Sequence, residues 1–243
     1  MRILVISDIH ANRTALEAVL ADAGEVDATW CLGDLVGYGP DPEQCVEIIR
    51  AIPNLLCVRG NHDVALIDNS SLVMFNAEAR RSLTWTRSQL SQRTLDYLEA
   101  LPEILVAEGD FSLVHGSPHD PVWEYVLNTI TARLNFRTFK TPWCLVGHSH
   151  LQLLFELDQR KDLVDLIIPP PGTPYILSNR AILNPGSVGQ PRDRNPQAAY
   201  AIFLPESLTW EPRRAAYDIP SVQDRIRKAG LPEKHAARLT EGW

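Results

Sequence analysis

Along this 243-residue chain, short apolar runs repeatedly stop at residue types that bind metal ions. ILVIS runs into Asp8-Ile9-His10, ATWCL into Gly33-Asp34, and LLCV into Arg59-Gly60-Asn61-His62-Asp63. Further on, FSLV stops at His115-Gly116, WCLV at Gly147-His148-Ser149-His150, and AIL at Asn184-Pro185-Gly186-Ser187. Five of the seven histidines fall in this set, with only His119 and His235 outside it. Imidazole mixed with carboxylate suits Zn, Mn, Fe or Ni better than Ca or Mg alone. Taken singly, an Asp-x-His is usually a polar loop, a Gly-Asp an ordinary turn, and a lone histidine a satisfied core residue. Turns alone do not account for five separate runs that each halt at a ligand-type residue. On an extended segment, side chains two apart share a face. Asp8 with His10, and His148 with His150, are therefore expected to act as two pincers. Asp34 stands alone, and its two carboxylate oxygens suit it to bridging a pair of cations.

The runs are too short for helices and read as buried strands. Helical periodicity lies between the early ones, over 12–23 with Leu16, Val19 and Leu20 on one face, and over 42–51 with Cys45, Val46, Ile48 and Ile49. Asp41 is expected to cap the second helix, with Pro42 in its first turn. A longer helix is expected over roughly 78–101. Strands and helices alternating in this way mean βαβ units and parallel pairing. Beyond Glu103, strands are expected at 104–107, 111–114, 144–146, 151–157, 164–168, 181–183, 199–203 and 208–213, with one helix near 128–139. Residues 169–174 (PPPGTP) read as a stiff surface loop. The tail from 221 reads as an amphipathic helix with a short, weakly specified end. Two sheets packed face to face with helices outside satisfy both halves, in one domain spanning 1–243. In α/β sheets ligands bind where loops leave the carboxyl ends of strands, so the candidate ligands should converge at one edge.

Composition narrows the function classes. Hydrophobic residues make up 45% and charged residues 22%, which is ordinary for a globular protein. No apolar run approaches the ~20 residues a bilayer span requires, and Asp8 and His10 interrupt any signal-peptide-like opening. The four cysteines form no CxxC motif, and Cys31, Cys57 and Cys144 sit inside apolar runs, as reduced structural thiols do. A soluble, cytoplasmic protein without a membrane partner is expected. A net charge of −7 argues against a stable nucleic-acid partner, which requires a basic face. It leaves room for a phosphate substrate if bound metal brings the positive charge.

In kind and order the motifs resemble those of the calcineurin-like metallophosphoesterase superfamily: D-x-H, G-D, G-N-H-[DE], a single His, and G-H-x-H. The resemblance implies an α/β (α+β) fold, a four-layer αββα sandwich of two mixed β-sheets flanked by helices. It also implies two divalent metal ions. Asp8, His10 and His150 would hold one, Asn61, His115 and His148 the other, and Asp34 would bridge. Protein Ser/Thr phosphatases of the superfamily read G-D-x-V-D-R-G at the second motif. Here Gly37 and Tyr38 replace the acidic residue and the phosphate-gripping arginine, which argues against a protein phosphatase. Residues 184–189 look like the Asn-Pro-Gly-Ser-x-Gly segment of the small bacterial and archaeal phosphodiesterase branch.

The expected activity is therefore metal-dependent phosphodiester hydrolysis of a small phosphate ester, with nucleotides among the candidates. Two cations ~3.5–4 Å apart can acidify a bridging water for in-line attack. His62 follows a ligand directly and is expected to serve as general acid, the alternative being a hydrogen-bonding role behind the ligands. Asn12, Tyr38, Arg59, Ser187 and Arg192 are candidate substrate contacts. Ser187 would belong to a backbone phosphate cradle, with Arg192 as a charge-assisted donor. Arg59 has a competing reading as the partner of a structural carboxylate. Residues 69–79, 118–126 and 193–197 are candidate pocket walls. The rival functions are a phosphomonoesterase or nucleotide pyrophosphohydrolase, and a metal-binding scaffold without catalysis, like a retromer subunit of this fold. The presence of both Asn61 and His62 favours the enzyme.

Overall fold

In the computed structural model, residues 1–243 are described. The chain begins with alternating elements: β1 (Ile3–Ile6), α1 (Arg13–Ala23), β2 (Ala28–Cys31), α2 (Pro42–Ala51), β3 (Leu55–Cys57), α3 (Asn61–Ile67), α4 (Ala77–Gln89) and α5 (Gln92–Ala100). Strands then dominate: β4 (Ile104–Ala107), β5 (Phe111–Val114), α6 (Thr129–Asn135), β6 (Trp143–Leu145), β7 (Gln152–Asp158) and β8 (Leu163–Ile167). After these come β9 (Tyr175–Ile176), β10 (Arg180–Pro185), β11 (Ala198–Leu204), β12 (Thr209–Ala215), α7 (Ile219–Lys228) and α8 (Glu233–Glu241).

Two six-stranded sheets result, in the orders β3-β2-β1-β11-β12-β9 and β4-β5-β6-β10-β7-β8. Both are mixed. β1, β2 and β3 run parallel in the first, and β5, β6 and β10 run parallel in the second. The sheets pack face to face, and strand alternation divides each apolar run between two cores. Ile3 and Val5 join Trp30, Phe111, Leu145, Leu183 and Phe203 between the sheets. Leu4 and Ile6 point the other way, against Leu16 and Val19 of α1 and Val46 and Ile49 of α2. On the outer face of the second sheet, Cys144, Phe155 and Ile182 pack under Ala132 and Phe136, at α6. Burial on both faces explains why these strands read as unbroken hydrophobic runs. The four layers are those expected, although only the short α6 covers the second sheet.

Several boundaries differ from expectation, each for a local reason. The helix expected over 78–101 breaks at Leu90, because Ser91 caps a new helix: its Oγ accepts from the Thr94 N–H and donates to Glu43. Asp41 precedes α2 but makes no capping bond, since Arg225 of α7 binds both its carboxylate oxygens. The Gly60-Asn61-His62 loop turns directly into α3, and a second C-terminal helix, α8, replaces the weakly specified end. No helix is long and apolar enough to cross a membrane.

Candidate functional site

All the candidate ligands lie just beyond the carboxyl ends of parallel strands, Asn61 as the first residue of α3 and the others on loops. Asp8 and His10 follow β1, Asp34 follows β2, Asn61 follows β3, His115 follows β5, and His148 and His150 follow β6. All seven side chains are buried, none more than 5% exposed. They form two groups. In one, Asp8 Oδ1 lies 3.3 Å from His150 Nε2 and 3.8 Å from His10 Nε2, and the two histidine nitrogens are 3.1 Å apart. In the other, His115 Nε2 lies 3.1 Å from both Asn61 Oδ1 and His148 Nδ1. Asp34 Oδ2 sits between the groups, 3.6 Å from His10 Nε2 and 3.4 Å from His115 Nε2.

Of the two expected pincers, Asp8 with His10 share one group as expected, and the other is corrected. His148 and His150 are divided between the groups instead of sharing one. The reason is backbone conformation: Asp8, His10, His148 and His150 have φ of 54°, 48°, 62° and 60°, so neither tripeptide is extended and strand alternation does not apply. Left-handed turns aim these side chains. Such conformations cost of order 1–3 kcal/mol each and persist where neighbours over-determine them. The neighbours are identifiable. The Asp8 and His10 N–H groups donate to Gly33 O and Asp34 O, each at 3.0 Å. Asp63, quoted in the sequence motif but given no role, accepts from the N–H groups of Asp34, Leu35 and Gly60 and so ties the β2 and β3 loops together. Gly60 must be glycine, because a Cβ there would collide with Asp34 Oδ1. Gly37 (φ 89°) likewise leaves room for the His62 ring.

Each of the four imidazoles is oriented by a backbone carbonyl. His10 Nδ1 pairs with Val36 O at 3.1 Å, His115 Nδ1 with Leu32 O at 2.8 Å, His150 Nδ1 with Gln190 O at 2.6 Å, and His148 Nε2 with Trp123 O at 3.1 Å. A carbonyl can only accept, so these nitrogens carry the protons and the opposite ones turn lone pairs into the site. Burial lowers the pKa of His10 and of His148 to about 3 and pushes His150 down as well, keeping the three rings neutral. Burial also disfavours the His115 cation, but Asp34 outweighs it and raises the ring's pKa, while His115 holds Asp34 low. The lone pairs of neutral His10 Nε2 and His150 Nε2, facing each other at 3.1 Å, repel unless a cation lies between them. Asp8 Oδ1 is in addition buried with no hydrogen-bond partner, although its other oxygen accepts from the His148 N–H. An orphaned carboxylate oxygen among converging imidazole lone pairs fits divalent metal ions.

A cleft of about 290 Å³ opens onto this cluster, bordered by Tyr38, His62, Met74, Phe75, Trp123, Tyr125, Arg192 and Arg238 among others. The segments 69–79 and 118–126 do wall it, as expected, but 193–197 does not. Asp193 and Asn195 line a separate hollow. His62 is packed between Tyr38, His10 and Phe75, at ring-centroid distances of 4.4, 4.8 and 4.8 Å, and its Nδ1 has no partner.

Of the five candidate substrate contacts, the structure brings Tyr38 and Arg192 to the cleft and takes the other three away. Asn12 caps α1 through Oδ1 and donates from Nδ2 to Gly189 O. Ser187 donates to Asp8 O and accepts from the Gln190 N–H, both at 2.8 Å, and is fully buried. Its hydroxyl is spent on these backbone groups and ties its loop to the one that carries Asp8. Arg59 pairs with Glu103 at 2.7 Å, which was its competing reading. Sequence reasoning missed Arg238, which carries no motif and depends on the position of α8. It also missed the individual wall aromatics Phe75, Trp123 and Tyr125, which only tertiary packing gathers.

The fold and this loop-borne cluster define a class that comparison with known proteins makes explicit. Residues 1–207 match the model of the calcineurin-like phosphoesterase superfamily domain, and the chain belongs to that family. It is a hydrolase acting on phosphate esters, of a family that uses divalent metals. The crystal structure of a metallophosphoesterase from Sphaerobacter thermophilus superposes with a TM-score of 0.91 at 46% identity, covering 100% of this chain and 99% of that one. An uncharacterized protein of Methanocaldococcus jannaschii is 36% identical over 99% of this chain and 98% of its own length. A symmetrical bis(5′-nucleosyl)-tetraphosphatase of Pectobacterium carotovorum is 28% identical over 55% of this chain. The chain spans about half the length of that relative, 49%.

Proposed function

We propose that this protein is a dinuclear metal-dependent phosphodiesterase acting on a small, nucleotide-like ester. The observation that carries the reading is the division of the donors into two groups with Asp34 Oδ2 within 3.6 Å of both. Asp8, His10 and His150 would hold one ion, Asn61, His115 and His148 the other, with Asp34 bridging. Mn, Fe, Zn and Ni all suit this donor set. Such ions neutralise phosphoryl oxygens and activate the attacking water.

The chain's own residues supply the rest. Arg192 and the Tyr38 hydroxyl, at the cleft, bind and orient phosphoryl oxygens. His62 is the proton donor to the leaving oxygen. Burial holds it neutral in the resting site, and an anionic phosphate beside it favours its protonated form. Phe75, Trp123 and Tyr125 offer aromatic faces suited to a nucleobase. The similarity to a bis(5′-nucleosyl)-tetraphosphatase over half of the chain supports a nucleotide substrate. We read residues 1–243 as one catalytic domain, since Arg238 near the C-terminus borders the same cleft as Asp34. The four buried free cysteines suit a reducing compartment such as the cytoplasm.

The test compares hydrolysis of bis-p-nitrophenyl phosphate and p-nitrophenyl phosphate by chelated protein with and without added Mn²⁺, alongside metal analysis. Metal-dependent turnover favouring the diester, with two ions per chain, is expected. Turnover of the monoester alone would make the protein a phosphomonoesterase. No turnover of either, with two ions bound, would favour the non-catalytic scaffold.

A further inference from the structure

Two arginines on one wall of the cleft have no carboxylate partner. Arg192 makes only distant polar contacts, with Nη2 3.5 Å from the Tyr38 hydroxyl and 3.3 Å from Gln190 Oε1, and its Nε is buried without a partner. Arg238 on α8 also has a buried, partnerless Nε, and its guanidinium carbon lies 5.7 Å from the centre of the Trp243 ring. By contrast, Arg214 binds Asp193 and Arg225 binds Asp41. Burial lowers the pKa of Arg238, and the charge of Arg192 lowers it further, as expected for two guanidiniums that feel each other. A half-buried like-charge pair is unfavourable unless an anion lies against it.

The helix that carries Arg238 is firmly seated. Leu231, Ala236 and Leu239 share an apolar cluster with Val222 and Ile226 of α7. Lys234 pairs with Glu78 of α4 at 3.4 Å. The His235 ring lies 4.8 Å from Tyr38, whose own ring centre lies 5.9 Å from the Arg192 guanidinium. Tyr38 therefore registers α8 against the cleft. Both α7 and α8 lie beyond residue 207, outside the stretch matched by the family model. The two arginines border the same cleft as Asp34, Asn61, His62 and His148, so an anion held by the guanidiniums neighbours a phosphoryl group held at the donor cluster.

We infer that Arg192 and Arg238 form a second anion subsite, which takes the phosphoryl group adjoining the one cleaved and so selects esters with a polyphosphate chain. The inference rests on the phosphoesterase reading for what happens at the donor cluster, but the subsite can be tested without turnover.

The experiment is calorimetric titration of the metal-loaded protein with inorganic tripolyphosphate and with orthophosphate, in a fixed excess of Mn²⁺. The intact protein, Arg238→Gln and Arg238→Lys are compared, with thermal melting of each as the check on folding. The intact protein is expected to prefer tripolyphosphate. Arg238→Gln should lose ~10- to 100-fold in affinity for tripolyphosphate and less than ~3-fold for orthophosphate, with partial recovery in Arg238→Lys. Equal losses on both anions, no loss on either, or no preference in the intact protein would overturn the subsite. If the intact protein hydrolyses no ester yet gives the expected contrast, the catalytic reading fails and the subsite stands. Hydrolysis of bis-p-nitrophenyl phosphate without the contrast removes the subsite alone.

Discussion

Ser187→Ala separates two roles that the motif around it could have. As part of a phosphate cradle, Ser187 would matter to substrate binding and little to stability. In the structure its hydroxyl instead joins two buried backbone groups, donating to Asp8 O and accepting from the Gln190 N–H, both at 2.8 Å. Alanine fits the same space, so the change removes two hydrogen bonds with almost no loss of packing. Leaving a buried polar group unsatisfied costs ~1–3 kcal/mol, so the pair amounts to ~2–4 kcal/mol after some relaxation. For a protein of this length each kcal/mol corresponds to ~2–4 °C, giving a fall in Tm of roughly 5–15 °C. The assay is thermal unfolding of chelated protein followed by circular dichroism, so that no metal contributes, with hydrolysis measured in parallel. Because Gln190 also supplies the carbonyl that orients His150, weakened metal affinity should accompany the lower Tm. An unchanged Tm with a raised KM would refute the reasoning and return Ser187 to the substrate.

The other predictions concern chemistry, metal and pH. His62→Ala should lower kcat ~10²- to 10⁴-fold with metal content intact by elemental analysis, and loss of metal along with activity would remove the proton-donor role. Chelation should lower Tm, since ions at ~1,000 times their Kd stabilise by ~4 kcal/mol, and a Tm indifferent to chelator would count against a metal site in the fold. Trp123→Ala should raise KM for a nucleotide ester more than for bis-p-nitrophenyl phosphate, and equal effects would refute nucleobase stacking. Burial pushes the Glu43 carboxyl up, but hydrogen bonds from Ser91 and Thr94 prevail and hold it below its ordinary value of 4.5. A depressed folded pKa means that this contribution is present above pH 4.5 and is lost as pH falls below it. Glu43→Gln should therefore flatten the acid limb of a Tm-against-pH curve, and an unchanged limb would show that the contribution is negligible.

The sequence made the clustered donor set legible because each candidate donor follows a hydrophobic strand, and strand ends in parallel sheets share an edge. β1, β2, β5 and β6 could be located from apolar runs alone, and with them Asp8, Asp34, His115 and His148. Which histidine joins which group was not legible from spacing. It depends on left-handed φ values at His148 and His150, a conformation histidine adopts more often than most residues but too rarely to be assigned from residue type. The substrate side was harder still. Asn12, Arg59 and Ser187 have side chains able to grip phosphate, yet each is consumed by a backbone group or carboxylate brought close only by tertiary structure. Arg238 presents the reverse case, an ordinary helix residue given its position by the packing of α8 on α7 and α4.

The distribution of strain fits this division of labour. Of the twelve non-glycine residues with positive φ, seven are at or beside the donor cluster: Asp8, His10, Ala11, Asp34, Tyr38, His148 and His150. The remaining five are scattered, among them Asn54, Glu108 and Asp162, types or positions common in surface turns. Strain concentrated on the ligand loops, together with lone pairs held face to face, raises the free energy of the metal-free site relative to an ordinary loop edge. The two sheets can sustain that cost because their apolar runs are buried on both faces, and because Asp63, Ser187 and the carbonyls of Val36, Leu32, Gln190 and Trp123 fix the loops independently of any ion. A site held open in this way would bind cations without first having to fold around them. The same rigidity keeps Asp34 between the two groups, where a more mobile carboxylate would turn to pair with His115 alone.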